Sequence, residues 1–193
     1  ALGAGDLLWL HATYGREEIV RRLRTLPPVT SFRSAYAYDN VLYIAAGLVI
    51  EAASGMSWDD FIRTRIFAPL GMREATTSLS PSRDGDNVAV PHGHVNGRLA
   101  VIPRDTVDNI APAGGINANV TDLAGWMITP LDSGRTGGGR LWSQARARDM
   151  WTGVTITPTG TPRGALAPLR ANFSEYALGW ALRDYRGRKL AMH

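Results

Sequence analysis

Residues 32–55, FRSAYAYDNVLYIAAGLVIEAASG, set a Tyr-x-Asn triplet (Tyr38 to Asn40) directly before an apolar run that stops at Gly55. The run from Val41 to Ser54 is apolar nearly all round, which predicts a buried central helix, and the following glycine supplies the left-handed residue that commonly closes one. Asn40 is a residue type that caps helix starts, because its side chain accepts from the first helical amides. Tyr38, two residues earlier, shares the loop that enters the helix. Together they place a phenol and an amide where both can point into one cavity.

Working outward, GREEIVRRLRTLPP puts Ile19, Leu23 and Leu26 at helical spacing, with Glu17 and Glu18 in the first turn and Pro27-Pro28 as the stop. That pattern predicts an amphipathic surface helix. Ser57 and Asp60 resemble a capping box, opening a helix through Phe61, Ile62 and Ile66 that ends near Pro69-Leu70-Gly71. In HGHVNGRLAVIP, Asn96-Gly97 lies between two short alternating runs, a strong hairpin signal. Thr121 is expected to cap a helix through Leu123, Trp126 and Met127, and Ser143 one that includes Met150 and Trp151. The stretches 133–139 and 155–168, rich in Gly, Pro and Thr, read as surface loops. The tail, YALGWALRDYRGRKLAMH, reads as two strands joined at Asp184 to Gly187.

Composition narrows the function classes. The 193 residues, 45% hydrophobic and 20% charged, suit one globular domain with a sizeable core. A net charge of +4 comes from scattered basic residues with 17 acidic ones among them, so no nucleic-acid partner is expected. Without cysteine there is neither a disulfide framework nor a thiol nucleophile. No apolar run approaches the roughly 18 residues that span a bilayer, and the first residues lack the pattern of a signal peptide. His92 and His94 share a strand face without an evident third ligand, so they read as a surface pair and no metal is expected. No cofactor motif is present either: Gly114-Gly115 lacks the lysine that a phosphate-cradling loop needs.

Three blocks, in order, resemble the class C β-lactamase family, which includes penicillin-recognising carboxypeptidases and CubicO-type esterases. The first runs from Phe32 to Met72 and carries Tyr38, Asn40, Tyr43, Gly47, Ser54-Gly55 and Pro69-Leu70-Gly71-Met72. The second, PAGGINANVTDLAGWM, is similar to an Ala-Gly-Gly turn followed by an Asp-Leu-Ala helix. The third is the tail, whose last strand resembles the one bearing His-x-Gly or Lys-Thr-Gly, with His193 at the first position. The resemblance implies an α+β, β-lactamase/transpeptidase-like fold, incomplete here. One partial domain over 1–193 is expected, with a helical region over 1–170 and part of the antiparallel sheet over 174–193.

By this resemblance Tyr38 helps to activate a serine and Asn40 contacts the bound acyl group. His193 would supply a donor to a substrate carboxylate or carbonyl, and Trp180, beside it, would contact substrate. A serine hydroxyl is a weak nucleophile until a neighbour takes its proton, so Tyr38 would act as base beside a lysine, or relay the proton to that lysine. A Ser-x-x-Lys motif is not found in these residues: the sole lysine is Lys189, and Arg186 stands three residues before it. The expectation is therefore the central to late portion of a longer serine hydrolase acting on an ester, amide or lactam, inactive by itself. The alternative is a non-catalytic remnant or binding module that keeps the fold. Asp39 departs from a position that is commonly serine in the family; the departure is tolerated if its side chain faces away from the cleft, and otherwise alters the charge near the substrate. An open sheet edge would favour a homo-oligomer or a complementing segment. The resemblance is compatible with a periplasmic or secreted setting.

Overall fold

The computed structural model describes residues 4–32, 34–78, 87–105 and 107–193. A 3-10 turn at Gly5–Leu8 precedes α1 (Arg16–Leu23), whose start lies one residue after Gly15 in extended backbone. The acidic first turn and basic last turn of α1 complement its dipole. Next comes α2 (Asn40–Ser54), closed by Gly55 at φ +69, a left-handed conformation that glycine adopts without steric penalty.

Ser57 caps α3 (Trp58–Ile62) as expected: its Oγ accepts from the Asp60 amide at 3.0 Å and donates to the Asp60 carboxylate at 2.8 Å. The coil continues through a π-helical turn, Arg63–Phe67, into α4 (Ala68–Leu70), and Gly71 ends it at φ +66. The strands β1 (His92–Val95) and β2 (Arg98–Val101) form the hairpin around Asn96-Gly97, both at positive φ. The short α5 (Ala111–Gly114) leads to α6 (Val120–Leu131).

The cap of α6 differs from the expectation. Asn119, not Thr121, holds the start, its Oδ1 accepting from the Asp122 amide at 2.8 Å. Both are good capping types, but the buried Asp122 carboxylate also accepts from the Glu74 amide, which anchors the helix with its cap two residues earlier. The stretch 133–139, read as loop, contributes β3 (Arg135–Thr136), paired with β4 (Gly139–Arg140). Ser143 caps α7 (Gln144–Met150) as expected.

The remaining strands, β5 (Thr155–Ile156), β6 (Ser174–Tyr176), β7 (Ala181–Tyr185) and β8 (Arg188–Met192), form an antiparallel four-stranded sheet in that order. The stretch 155–168 thus holds an edge strand and a 3-10 turn, Gly164–Leu169. What reads as a single strand, YALGWALRDY, is two. Gly179 at φ +80 lets the chain reverse between Tyr176 and Ala181, and the Ala177 amide donates to the Trp180 carbonyl at 2.7 Å. The β7–β8 turn falls at Arg186-Gly187, both at positive φ.

The core joins α1 to α2: Ile19, Val41, Ile44 and Ile110 are buried together, with Leu8, Trp9, Val20 and Leu23 packed around them. A Cβ added at Gly47 would lie 2.6 Å from Pro112 Cγ, so α2 and α5 meet at a distance only glycine permits. The sequence expectation of a helix buried all round is corrected here. Neighbours cover one side of α2, and Leu42, Ala46, Val49 and Ala53 form an exposed apolar stripe, with Val49 66% exposed.

Candidate active site

Tyr38 and Asn40 flank Asp39, which is extended at φ −155 and ψ 104. Successive side chains alternate in extended backbone, so Tyr38 and Asn40 share one side. Asp39 takes the other and is 9% exposed, while Tyr38 is 51% exposed. Asp39 is also the residue at the cap position of α2, which places Asn40 one residue inside the helix. Asn40 is therefore not spent on capping. Its Nδ2 donates to the Asp6 carboxylate, at 3.3 and 3.4 Å from the two oxygens.

The sheet brings a second group of residues to Tyr38. His193 directly follows β8, and its ring centroid lies 5.9 Å from that of Tyr38. His193 Nδ1 is 2.8 Å from the Gly179 carbonyl and 3.3 Å from Tyr176 Oη. A carbonyl only accepts, so Nδ1 carries the proton and the neutral ring presents Nε2 as an acceptor. A donor role toward substrate then belongs to the imidazolium alone.

Tyr176, which the sequence reading does not single out, is the hub of this cluster. Its hydroxyl is 3.2 Å from Tyr43 Oη, and its ring centroid is 4.9 Å from that of Tyr36. Burial first, then the hydrogen bond to Tyr43, pushes its phenol well above the ordinary range. Tyr36 is raised as well, first by burial and then by the repulsion that Tyr38 and Tyr43 would exert on its anion. Both therefore stay protonated and serve as hydrogen-bonding groups rather than bases at neutral pH. The only advance signal for Tyr176 is a tyrosine at a strand end in the third block.

Trp180 lies in the reversal before β7, adjoining the Ala181–Met192 pair that His193 also adjoins. Its ring packs edge-on against Trp151, centroids 6.4 Å apart. The structure thus groups Tyr38 with His193, Tyr176, Tyr43 and Tyr36, joins Asn40 to Asp6, and seats Trp180 on Trp151. Elsewhere, a half-open cavity of about 340 Å³ is lined by Trp9, His11, Tyr14, Asp105 and Asp108 among others, and includes none of the expected site residues. His92 and His94 are exposed on one face of β1. No single helix among the described residues is long and apolar enough to cross a membrane.

A family model described as Beta-lactamase matches residues 2–193. The unguisins hydrolase ungD' of Aspergillus campestris is 28% identical over 179 residues, covering 91% of this chain and 32% of its own length. The octameric penicillin-binding protein homologue from Pyrococcus abyssi superposes with a TM-score of 0.79 at 21% identity, over 100% of this chain and 42% of that one. The D-amino acid amidase from Ochrobactrum anthropi SV3 gives 0.67 at 22% identity, over 95% and 49%. The chain thus spans about a third of that curated relative and under half of either solved structure.

Proposed function

The chain belongs to the beta-lactamase family, a family with a hydrolase fold, and we propose that it is the central to late part of a serine hydrolase that opens an ester or amide through an acyl-enzyme. The observation that carries this reading is the approach of Tyr38 and His193, 5.9 Å between rings, from a loop and a strand far apart in sequence. The half-exposed Tyr38 phenol and the His193 imidazole pack against each other where the helical region adjoins the sheet. A reacting carbonyl seated beside this pair can contact both.

In this reading the parent polypeptide supplies a serine and lysine in a Ser-x-x-Lys motif. The serine oxygen attacks the carbonyl carbon, and its proton passes to Tyr38, directly or on to the lysine. Collapse of the tetrahedral intermediate expels the alcohol or amine, which takes up that proton. Water then repeats the attack on the acyl-enzyme and releases the acid. Asn40 holds the acyl group, His193 donates to a substrate oxygen as the imidazolium, and Trp180 with Trp151 forms a wall. A relative described as an unguisins hydrolase supports hydrolysis, and one described as a D-amino acid amidase supports an amide bond as the target. A relative described as octameric supports self-association.

The test is labelling of the parent polypeptide with a fluorophosphonate and a fluorescent penicillin. The expected result is one labelled serine in a Ser-x-x-Lys motif, with labelling slowed at least about a hundredfold by Tyr38→Phe. Absence of any labelled serine would instead support the binding-module reading.

A further inference from the structure

We infer that Tyr176 is a positioning residue of the site: its hydroxyl and the Gly179 carbonyl hold His193 by Nδ1, so that Nε2 alone is offered beside Tyr38. Its part in turnover rests on the hydrolase reading above. His193 is exposed, and an exposed imidazole keeps its rotamer freedom unless a contact removes it. Here one ring nitrogen meets two acceptors, the Gly179 carbonyl at 2.8 Å and Tyr176 Oη at 3.3 Å. Among the described residues Nε2 has no hydrogen-bond partner, and the ring lies 5.9 Å from that of Tyr38.

Both acceptors come from the end of β6 and the turn that follows it. Gly179 takes φ +80 in that turn, which two backbone bonds close: the Ala177 amide to the Trp180 carbonyl at 2.7 Å, and the Gly179 amide to the Ala177 carbonyl at 3.0 Å. The Gly179 carbonyl is therefore aimed by the backbone. Tyr176 is aimed by packing, its ring 4.9 Å from that of Tyr36 and its hydroxyl 3.2 Å from that of Tyr43.

A phenol suits this position because its oxygen accepts and donates at once. It takes the Nδ1 proton of His193 as acceptor, which leaves its own proton for Tyr43 Oη. Burial, then the bond to Tyr43, keeps that proton in place through neutral pH. The chain from His193 through Tyr176 to Tyr43 thus runs from the sheet into α2, the helix that Tyr38 precedes. Nδ1 is protonated in this tautomer and in the imidazolium alike, so the hold survives either state and only Nε2 changes, from acceptor to donor.

The test is nitrogen-15 NMR of the His193 ring in the chain at about pH 8, where an ordinary imidazole is neutral, together with Overhauser contacts from that ring. The unmutated chain is expected to show the Nδ1–H tautomer, a contact from the Nδ1 proton to the Tyr176 ring, and a contact between the His193 and Tyr38 rings. Tyr176→Phe leaves one acceptor at Nδ1, and should mix in the Nε2–H tautomer and lose the contact to Tyr38. Tyr43→Phe removes the same bond between α2 and β6 but spares the Tyr176 oxygen, and should keep both signatures. Equal changes in the two variants would reduce Tyr176 to a structural tie and overturn the inference, as would no change in Tyr176→Phe. So would an unmutated chain that shows the Nε2–H tautomer or no contact from Nδ1–H to Tyr176, a result that stands even where a variant fails to fold. Failure of serine labelling in the parent bears on the hydrolase reading alone, because none of these signals requires acyl transfer.

Discussion

The hydroxyls of Tyr43 and Tyr176 lie 3.2 Å apart, a direct hydrogen bond between α2 and β6. It ties the helical region to the sheet at the point where His193 Nδ1 meets Tyr176 Oη. Tyr176→Phe should destabilise the chain by about 1 kcal/mol, the typical net worth of a partly buried hydrogen bond. Chemical denaturation should show the loss, and the His193 ring resonances should shift with it. An unchanged midpoint would mean that the bond carries no net energy.

Alkaline pH provides a second check on the same residue. The folded chain holds the Tyr176 proton more tightly than the unfolded chain does. Its contribution is therefore fully present below the ordinary phenol pKa of about 10 and is lost as pH rises above it. Denaturation midpoints measured from pH 8 upward should fall beyond that point. The fall should be shallower in Tyr176→Phe, with the residual slope coming partly from Tyr36, whose phenol is also raised.

Gly47→Ala should destabilise by about 1–3 kcal/mol, the usual range for overpacking. The new methyl would meet Pro112 at 2.6 and 2.9 Å, so α2 and α5 would have to separate. Alanine's better helix propensity offsets at most about 1 kcal/mol of this. Thermal unfolding of the variant reads the balance, and a raised melting temperature would contradict the close contact.

Truncations on the two faces of α2 should differ sharply. Ile44 is fully buried in the α1–α2 core, so Ile44→Ala should cost about 2–5 kcal/mol. Val49 is 66% exposed, and Val49→Ala should change stability by no more than about 0.5 kcal/mol. Paired denaturation curves decide it. A large loss at Val49 would show that its face is covered in solution.

Much of the local architecture is legible from residue types. Gly55 and Gly71 stop their helices, Ser57 and Ser143 cap theirs, and Asn96-Gly97 turns its hairpin. Each of these depends on backbone conformation within a few residues, which side-chain chemistry constrains directly. The same kind of signal misleads where two choices are locally equivalent. Thr121 and Asn119 are both good caps, and a distant contact between Asp122 and the Glu74 amide separates them.

Sequence by itself determined the class of fold, the helix and hairpin boundaries set by glycine and capping residues, and the standing of Tyr38 and Asn40 together before α2. Tertiary structure alone decided which face of α2 is covered, that YALGWALRDY folds back on itself, and that Tyr176, His193 and Asp6 reach the Tyr38–Asn40 segment. The division has a physical origin. Turns and caps are settled by the sterics and hydrogen bonds of a short stretch of chain. A contact such as that between Asp6 and Asn40, 34 residues apart, exists only after α1 and α2 have packed around a shared core.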